Sequence, residues 1–172
     1  MKEKDILEIF EGAGGLLKGH FKLSSGLHSG QYLQCALVLQ NAKPAERLCK
    51  ELASKFTDDN ITAVIGPALG GVVVSHEVAR ALGVKALFSE REDGIMTLKR
   101  GFSIDKNDRI LVVEDVVTTG RSTKEVIEMV KKSGAALAGV GSLVCRGKNI
   151  DFGGKFLSLL KIDIPTFKPA DC

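Results

Sequence analysis

The sequence predicts an α/β fold in which a central parallel sheet is flanked by helices on both sides. Apolar, β-branched runs at residues 63–65 and 110–113 are typical of strands that are buried on both faces of a sheet. Segments with helical spacing alternate with these runs along the chain. Small, flexible residues fill the turns between strand and helix. Together these three observations favour one parallel α/β domain.

Composition indicates one globular domain over residues 1–172, with 44% hydrophobic and 26% charged residues. The net charge of +3 is too small to favour a nucleic-acid partner, whereas an anionic small molecule is easily accommodated. No apolar run reaches membrane-spanning length, and the N-terminus does not resemble a signal peptide. We therefore expect a cytoplasmic protein without a nucleic-acid or membrane partner.

The thiols and imidazoles predict no metal centre. The four cysteines are scattered without a CxxC pair: Cys35, Cys49, Cys145 and Cys172. This pattern favours reduced thiols of a cytosolic protein over a disulfide framework or a zinc site. The three histidines are not grouped at the spacing of metal ligands: His20, His28 and His76.

The first 40 residues predict a small hood over the core of residues 41–172. An amphipathic helix is expected over residues 2–13 and ends at a Gly-Gly pair. A hairpin follows, with a turn at residues 24–26 and a returning strand at 32–35. The turn is equally compatible with a plain surface loop, and His28 is the histidine most worth testing for substrate contact.

The next segments predict a helix over residues 43–56, a strand at 63–65 and a helix that ends near residue 82. The turn between the last two, GPALGG, has the composition of an anion site at a helix N-terminus. By itself it favours a tight connection without a ligand. A strand at 84–88 precedes a charged, Gly-punctuated segment at 89–102, which predicts either a solvated hairpin or a mobile lid.

The stretch at residues 110–123, ILVVEDVVTTGRST, carries the clearest chemical signal. A buried strand ends in Glu114 and Asp115, a hydroxyl-rich loop follows, and residues 124–132 have helical spacing. Backbone N–H groups of such a loop and the helix N-terminus bind phosphate, and the carboxylates can accept hydrogen bonds from sugar hydroxyls. The absence of GxxxxGK[ST] and of GxGxxG argues against a Walker NTPase and a dinucleotide fold.

The C-terminal part predicts a buried strand over residues 135–144, an edge strand over 156–164 and a loop from residue 165 onward. Arg146 follows the first of these strands. At the carboxyl end of a strand it could bind a planar carboxylate through two parallel hydrogen bonds, or it could be a surface arginine.

The stretch VVEDVVTTGRST resembles the phosphoribosyl pyrophosphate (PRPP) motif of type I phosphoribosyltransferases, and the hood narrows the resemblance to those that act on orotate. The resemblance implies that family's central parallel sheet with a small N-terminal hood. It also implies transfer of 5-phosphoribosyl from PRPP to orotate, which gives orotidine 5′-monophosphate and diphosphate in pyrimidine biosynthesis. Mg²⁺ would be bound through PRPP oxygens, with no protein side chain as ligand.

The same resemblance implies roles for individual residues. It assigns Lys99, Arg100 and Asp115 to catalysis. It assigns the following residues to PRPP: Ala68, Leu69, Gly70, Arg91, Glu114, Asp115, Val116, Val117, Thr118, Thr119, Gly120, Arg121, Ser122 and Thr123. Orotate would be bound by Lys22, Ser24, Thr118 and Arg146. Members of the family often carry lysine where this chain has Ser24 and Gly70. The lid at residues 89–102 would reach the active site of a neighbouring subunit, which implies a homodimer.

Two alternatives remain at the level of sequence. A phosphoribosyltransferase for a purine or for uracil would share the PRPP motif but would not need Arg146 as a carboxylate clamp. A non-catalytic PRPP-binding regulator would share the fold, but it should carry an added DNA-binding segment or a strongly basic face. The chain shows neither feature.

Overall fold

A computed structural model describes residues 1–23 and 26–172 of the chain. The helices and strands are α1 Glu3–Gly12, β1 Leu16–Lys22, β2 His28–Leu33, α2 Cys35–Leu39, α3 Ala42–Ser54, β3 Ala63–Pro67, α4 Gly70–Leu82, β4 Lys85–Glu92, β5 Ile95–Leu98, β6 Arg109–Val117, α5 Arg121–Lys132, β7 Ala136–Cys145, β8 Phe156–Lys161 and β9 Thr166–Phe167. Short 3₁₀ turns lie at Thr57–Asp59 and Pro169–Asp171. Within the described ranges, no helix combines the length and the apolar character that crossing a membrane requires.

The main sheet has six strands in the order β5-β4-β3-β6-β7-β8. The five strands from β4 to β8 are parallel, which confirms the predicted parallel sheet. β5 is antiparallel to β4, because the charged segment after β4 folds back as a hairpin at the edge of the sheet. The strand predicted at residues 84–88 is therefore longer than expected and continues to Glu92.

Helices cover both faces of this sheet, as predicted. On one face, α1 to α4 pack against residues of β6 such as Leu111 and Val113. On the other face, α5 packs against Ile110 and Val112. All four β6 side chains are fully buried, because successive residues of a central strand point to opposite, equally covered faces.

A second sheet, in the order β1-β2-β9, forms the hood. The prediction of a loop from residue 165 onward is wrong here, because residues 166 and 167 pair with the outer edge of β2. The Ser29 hydroxyl also donates a hydrogen bond to the Pro165 carbonyl at 2.9 Å. Tertiary pairing of this kind leaves no periodic signal in a segment of two residues.

The returning strand predicted at residues 32–35 ends earlier than expected. It stops at Leu33, and the short helix α2 begins at Cys35. Cys35, Val38 and Leu39 are its buried residues, which is the i, i+3, i+4 spacing of a helix face. A short apolar run does not distinguish a strand from a buried helix, and burial under α1 and against α3 and α4 decides in favour of helix.

Candidate active site

Three connections meet at one edge of the main sheet. β3, β6 and β7 are adjacent and parallel, so their carboxyl ends lie side by side. β3 leads into α4 through residues 68 and 69, β6 leads into α5 through residues 118–120, and β7 leads to Arg146. The crevice beyond the carboxyl ends of adjacent parallel strands is where open α/β sheets bind ligands.

The two predicted carboxylates lie on opposite faces of β6, each at the N-terminus of a different helix. Glu114 accepts a hydrogen bond from the buried hydroxyl of Thr123 in α5. Asp115 lies against Gly70, the first residue of α4. A Cβ atom at Gly70 would lie 2.5 Å from the Asp115 carboxylate oxygens. The partial positive charge of each helix N-terminus therefore faces one carboxylate.

Burial raises the pKa of both carboxylates, Glu114 and Asp115. It raises the pKa of Glu114 to about 7, with a smaller contribution in the same direction from Asp115, and the hydrogen bond from Thr123 opposes the shift. Burial also raises the pKa of Asp115, against a hydrogen bond from the backbone N–H of Val116. Two partly desolvated carboxylates that need hydrogen-bond donors are suited to the hydroxyls of a sugar.

The connection from β6 to α5 has the form of an anion site. Thr118 and Thr119 are exposed, and Gly120 precedes the helix with a φ of 73° that glycine adopts without strain. The Thr119 hydroxyl accepts a long hydrogen bond from the backbone N–H of Arg121 at 3.4 Å. α5 therefore begins at residue 121, three residues before the predicted helix. The exposed threonine hydroxyls therefore lie next to the start of a helix, whose first N–H groups have no partner within the helix.

The remaining residues predicted for this stretch have different environments. Val117 and Thr123 are buried, Val116 and Ser122 are half-buried, and Arg121 is exposed and paired with Glu125 at 3.1 Å. Val116 and Val117 can therefore contribute backbone groups rather than exposed side chains, and the Thr123 hydroxyl is already used by Glu114.

The connection between β3 and α4 is exposed at Ala68 and Leu69, where the peptide bond is cis. The backbone N–H of Ala68 donates to the Ser89 carbonyl at 2.8 Å. The structure also gives a reason for the glycine at position 70, because any side chain there would overlap the Asp115 carboxylate. Glycine at this position therefore lets the first turn of α4 approach the carboxylate closely.

Arg146 differs from the other predicted site residues because its side chain has a buried nitrogen without a hydrogen-bond partner in the described residues. Its backbone N–H donates to the Val117 carbonyl at 2.8 Å, which attaches the residue after β7 to the end of β6. Its Nε atom is buried and has no hydrogen-bond partner in the described residues. An unpaired buried N–H of a charged group costs free energy, so this atom is placed to receive a ligand oxygen.

Cys35 is a residue at this site that the sequence did not single out. Its thiol donates a weak hydrogen bond to the Asp115 carbonyl at 3.8 Å. Burial raises the pKa of this thiol, Asp115 raises it further and Arg146 lowers it. The thiol is therefore protonated and acts as a small buried group between Asp115 and Arg146. Only its position in an apolar run could have indicated burial.

Arg146 also lines a cavity of about 210 Å³ at the ends of β7 and β8. Two further cations line it, Lys148 and Lys161. Lys148 pairs with Asp163 at 2.8 Å. The sequence did not identify these two lysines, since nothing in their local pattern distinguishes them from surface lysines.

The predicted lid residues are placed differently from the carboxylates. In the β4–β5 hairpin, cations pair with acidic side chains of the hairpin or of α5: Arg91 with Glu125 at 2.5 Å, Lys99 with Glu92 at 2.6 Å and Arg100 with Glu90 at 2.8 Å. Neither Glu114 nor Asp115 is the partner of any of them in the described chain. The hairpin tip is exposed, which agrees with the solvated-hairpin interpretation.

The hood residues predicted for orotate are only partly described. Ser24 lies outside the described residues. Lys22 is exposed at the end of β1 and opposite His28 in the ladder. The structure brings His28 next to His20 rather than next to Arg146, with 3.0 Å between ring nitrogens.

A groove of about 800 Å³ lies between the β4–β5 hairpin and the outer surface of α5. Its lining includes Ile95, Met96, Glu125 and Met129. Its lining also includes Thr119 from the connection between β6 and α5 and Arg121 from the start of α5. Glu114, Asp115 and Arg146 are not among its lining residues, so this groove is separate from the candidate site at the sheet edge.

Comparison with known proteins identifies relatives over the full chain. Residues 38–153 match the family model described as phosphoribosyl transferase domain. An orotate phosphoribosyltransferase of Pelotomaculum thermopropionicum is 54% identical over 173 aligned positions, covering all of this chain and 91% of that protein. An orotate phosphoribosyltransferase of Caldanaerobacter subterraneus is 52% identical with the same coverage.

Solved structures support the same fold. The crystal structure of orotate phosphoribosyltransferase from Aeropyrum pernix superimposes with a TM-score of 0.75, covering 91% of this chain and 93% of that chain. Its sequence is 24% identical, so this likeness concerns the fold alone. An adenine phosphoribosyl transferase from Trypanosoma brucei has a TM-score of 0.64 at 18% identity and covers 77% of this chain.

Proposed function

This chain belongs to the phosphoribosyltransferase family, and we propose from that premise how its sheet edge carries out the reaction of its relatives. The activity is that of an orotate phosphoribosyltransferase, a pentosyltransferase. It transfers the 5-phosphoribosyl group of PRPP to orotate and releases diphosphate. The product, orotidine 5′-monophosphate, belongs to pyrimidine biosynthesis.

The geometric observation that carries this assignment is the buried Nε of Arg146, which has no partner in the described residues and lies across the Cys35 thiol from Asp115. Orotate bears a planar carboxylate, and a guanidinium binds such a group through two parallel hydrogen bonds. A neutral purine or uracil would leave the same N–H group unpaired. The position of Arg146 therefore favours an acidic base as the second substrate.

For PRPP, we assign the ribose hydroxyls to Glu114 and Asp115. Each carboxylate is largely buried and accepts a hydrogen bond from the protein, and hydroxyls of the ribose would add further donors. The 5′-phosphate is assigned to the loop of residues 118–120 and the N-terminus of α5, where N–H groups and exposed hydroxyls converge. The exposed turn at residues 68–70 is assigned to the diphosphate through the backbone N–H groups of Leu69 and Gly70, since that of Ala68 donates to Ser89.

The reaction forms one bond and breaks another at the same carbon. Orotate N1 attacks C1 of the ribose while the C1–O bond to diphosphate breaks, and the electron pair of that bond leaves with the diphosphate. The proton on N1 of orotate is acidic and is lost to solvent water as the bond to C1 forms, so the protein needs no nucleophile and no strong base. Its tasks are to position both substrates and to neutralise charge on the leaving group.

Mg²⁺ fits this arrangement through oxygen donors. The site offers carboxylate and hydroxyl oxygens, which suit a hard cation, and no cluster of nitrogen or sulfur ligands lies next to Glu114 in the described residues. We assign the ion to PRPP oxygens and water, with Glu114 and Asp115 orienting the ribose hydroxyls. Bound there, Mg²⁺ would supply positive charge against the diphosphate oxygens.

We further propose that the β4–β5 hairpin is a lid that acts on a neighbouring subunit in a homodimer. Its cations are held by exposed ion pairs, and such pairs contribute little free energy, about 0–1 kcal/mol each. A hairpin cation can therefore exchange its carboxylate partner for diphosphate at a small cost in free energy. Within one subunit Lys99 and Arg100 have partners other than the site carboxylates, which is consistent with a role across an interface.

The test is a parallel assay of the purified protein with PRPP and Mg²⁺. Orotate, uracil, hypoxanthine and xanthine would be offered separately, with diphosphate release and nucleotide formation measured. We expect turnover with orotate alone. Turnover only with a purine or uracil would overturn the role of Arg146, and PRPP binding without any turnover would favour a non-catalytic regulator.

A further inference from the structure

A group of three potential metal ligands lies in the hood, outside the site described above. The ring nitrogens His20 Nε2 and His28 Nδ1 are 3.0 Å apart, and Cys172 Sγ lies 3.3 Å from His20 Nε2. All three ligand atoms lie within 4.8 Å of one another. His28 is half-buried and the other two are exposed, so a cation in solvent has access without any opening of the core.

Three separate segments bring these atoms together. β1 and β2 pair in antiparallel fashion, with an irregularity between Lys18 and Phe21, and this places residue 20 beside residue 28. β9 pairs with β2 through His28 and Phe167, and the turn Pro169–Asp171 then returns the chain toward the histidines. The contacts join residues separated by 8 and by 152 positions, so sequence spacing could not group them.

Hydrogen bonding alone does not account well for this arrangement. A neutral imidazole nitrogen carries either one N–H or one lone pair in the plane of the ring. His20 Nε2 faces both the His28 nitrogen and the Cys172 sulfur. This nitrogen can act either as a donor or as an acceptor, yet it has two neighbours within hydrogen-bond distance. A cation at the centre would accept a lone pair from each of the three atoms at once.

The distances between the ligand atoms are close to those of tetrahedral zinc coordination. With Zn–N of about 2.0–2.1 Å and Zn–S of about 2.3 Å, tetrahedral ligand atoms are separated by about 3.3–3.7 Å. The two distances from His20 Nε2, 3.0 and 3.3 Å, need to change by at most a few tenths of an ångström, and rotation of the exposed Cys172 side chain can adjust the third, which is within 4.8 Å. Surface side chains can make such shifts by small rotations about their side-chain bonds.

We propose that His20, His28 and Cys172 bind a zinc ion. Two imidazoles and one thiolate are ligands that a borderline-soft cation prefers, whereas Mg²⁺ prefers oxygen. Water or another donor completes the tetrahedron. This site is chemically distinct from the oxygen-lined PRPP site, and it revises the expectation from the sequence that the cysteines form no zinc site.

Bound zinc would fasten the C-terminal segment to the hood. β9 has only two residues, so few backbone hydrogen bonds hold this segment. A metal that links Cys172 to β1 and β2 closes a loop of most of the chain. Because the ion binds the folded state and not the unfolded state, it also increases the free energy of unfolding. The inference is independent of the proposed phosphoribosyl transfer.

The first experiment uses the purified full chain after removal of metals by a chelator and without PRPP. Zn²⁺ would be titrated in competition with a chromophoric chelator, and Co²⁺ would be added separately as a spectroscopic probe. We expect one Zn²⁺ per chain, a thiolate-to-cobalt charge-transfer absorption in the near ultraviolet, and a higher Tm with Zn²⁺. No stoichiometric binding, or cobalt spectra without the thiolate band, would overturn the proposal.

Matched variants locate the site. Cys172→Ser should abolish the thiolate band, and Cys172→Ser and His20→Gln should each raise the Kd for Zn²⁺ at least tenfold. His76→Gln is the control, since His76 is exposed on α4 and lies near Glu77. Zinc affinity that is unchanged in both site variants would overturn the assignment. Retained orotate-dependent turnover would show that the variants are folded, so failure of the zinc site would not be confused with failure of the enzymatic assignment.

Discussion

Glu114 and Asp115 are adjacent in sequence but have different surroundings. The alternation of side chains along β6 directs Glu114 toward α5 and Asp115 toward α4. Each carboxylate is partly desolvated, and each faces the N-terminus of a helix. A pair of exposed acidic residues would have neither property, so the environment and not the residue type distinguishes this pair from ordinary surface carboxylates.

The raised pKa of Glu114 predicts a pH-dependent stability of the unliganded protein. The folded-state pKa of about 7 exceeds the ordinary value of 4.5. The folded state therefore binds the proton more tightly, and this contribution to stability is present below about pH 4.5 and is lost as pH rises through about 7. Glu114→Gln removes the charge and should increase the free energy of unfolding at pH 8 by roughly 1–3 kcal/mol.

The measurement is denaturant unfolding of both proteins at pH 8 and pH 5. The difference between them should shrink at pH 5, where the native carboxyl is mostly protonated. Glu8→Gln is the control, because Glu8 is exposed on α1 and pairs loosely with Lys4 at 3.7 Å. A stability difference that does not change with pH would contradict a raised pKa at Glu114.

Substitution of Arg146 should weaken the binding of orotate selectively. Arg146→Ala should raise the KM for orotate at least tenfold, about 1.4 kcal/mol, because the paired hydrogen bonds to the carboxylate are lost. The KM for PRPP should change by less than about twofold. Steady-state kinetics with each substrate varied in turn would measure both values.

Two further variants sharpen this test. Arg146→Lys keeps the charge but cannot form the two parallel bonds, so it should restore only part of the orotate affinity. Arg47→Ala removes an exposed arginine on α3 and should leave both KM values unchanged. Equal losses for PRPP and orotate in Arg146→Ala would argue for a general structural role instead.

At the scale of elements, the β4–β5 hairpin carries the clearest prediction. Lys99 and Arg100 form exposed ion pairs with Glu92 and Glu90, and such pairs contribute little to stability. The double change Lys99→Ala and Arg100→Ala should therefore leave Tm nearly unchanged while it lowers kcat at least tenfold. Thermal unfolding and initial rates at saturating substrates would separate the two effects.

Lys131→Ala provides the matched control for the hairpin. Lys131 forms the same kind of exposed pair, with Glu128 at 2.9 Å on α5, and lies outside the hairpin. The kcat of the Lys131→Ala variant should equal that of the unmodified protein. Full kcat in the double hairpin variant would place the cation that neutralises diphosphate elsewhere in the chain.

At the scale of the whole molecule, the proposed homodimer predicts complementation between two variants that each have strongly reduced activity. One variant carries Asp115→Asn, and the other carries the double change in the hairpin. In a mixed dimer, one active site receives an intact hairpin and retains an intact carboxylate. An equimolar mixture should therefore recover about a quarter of the normal activity, since half of randomly formed dimers are mixed and each has one complete site.

The assay would follow turnover after reversible dissociation and reassociation, with sedimentation as a measure of the oligomer. Each variant mixed only with itself is the control and should keep its strongly reduced activity. A monomer at assay concentrations, or no recovery on mixing, would contradict a lid that acts across subunits.

The elements show what local patterns can and cannot determine. Burial on both faces of β6 and the helical spacing of α5 follow from residue types repeated over many positions, and both predictions are confirmed. β9 and α2 depend on where other segments lie, and both were missed. Elements of two and five residues contain too little periodicity to outweigh their tertiary surroundings.

The sequence by itself determined the parallel α/β fold and predicted the PRPP stretch with its two carboxylates, because each is encoded in a contiguous run of residues. Only the tertiary structure decided which groups lack partners. It placed Gly70 against Asp115, left Arg146 Nε unpaired and joined His20 and His28 to Cys172. These relations depend on segments that are distant in the chain and meet only when the sheets form, so no local pattern records them.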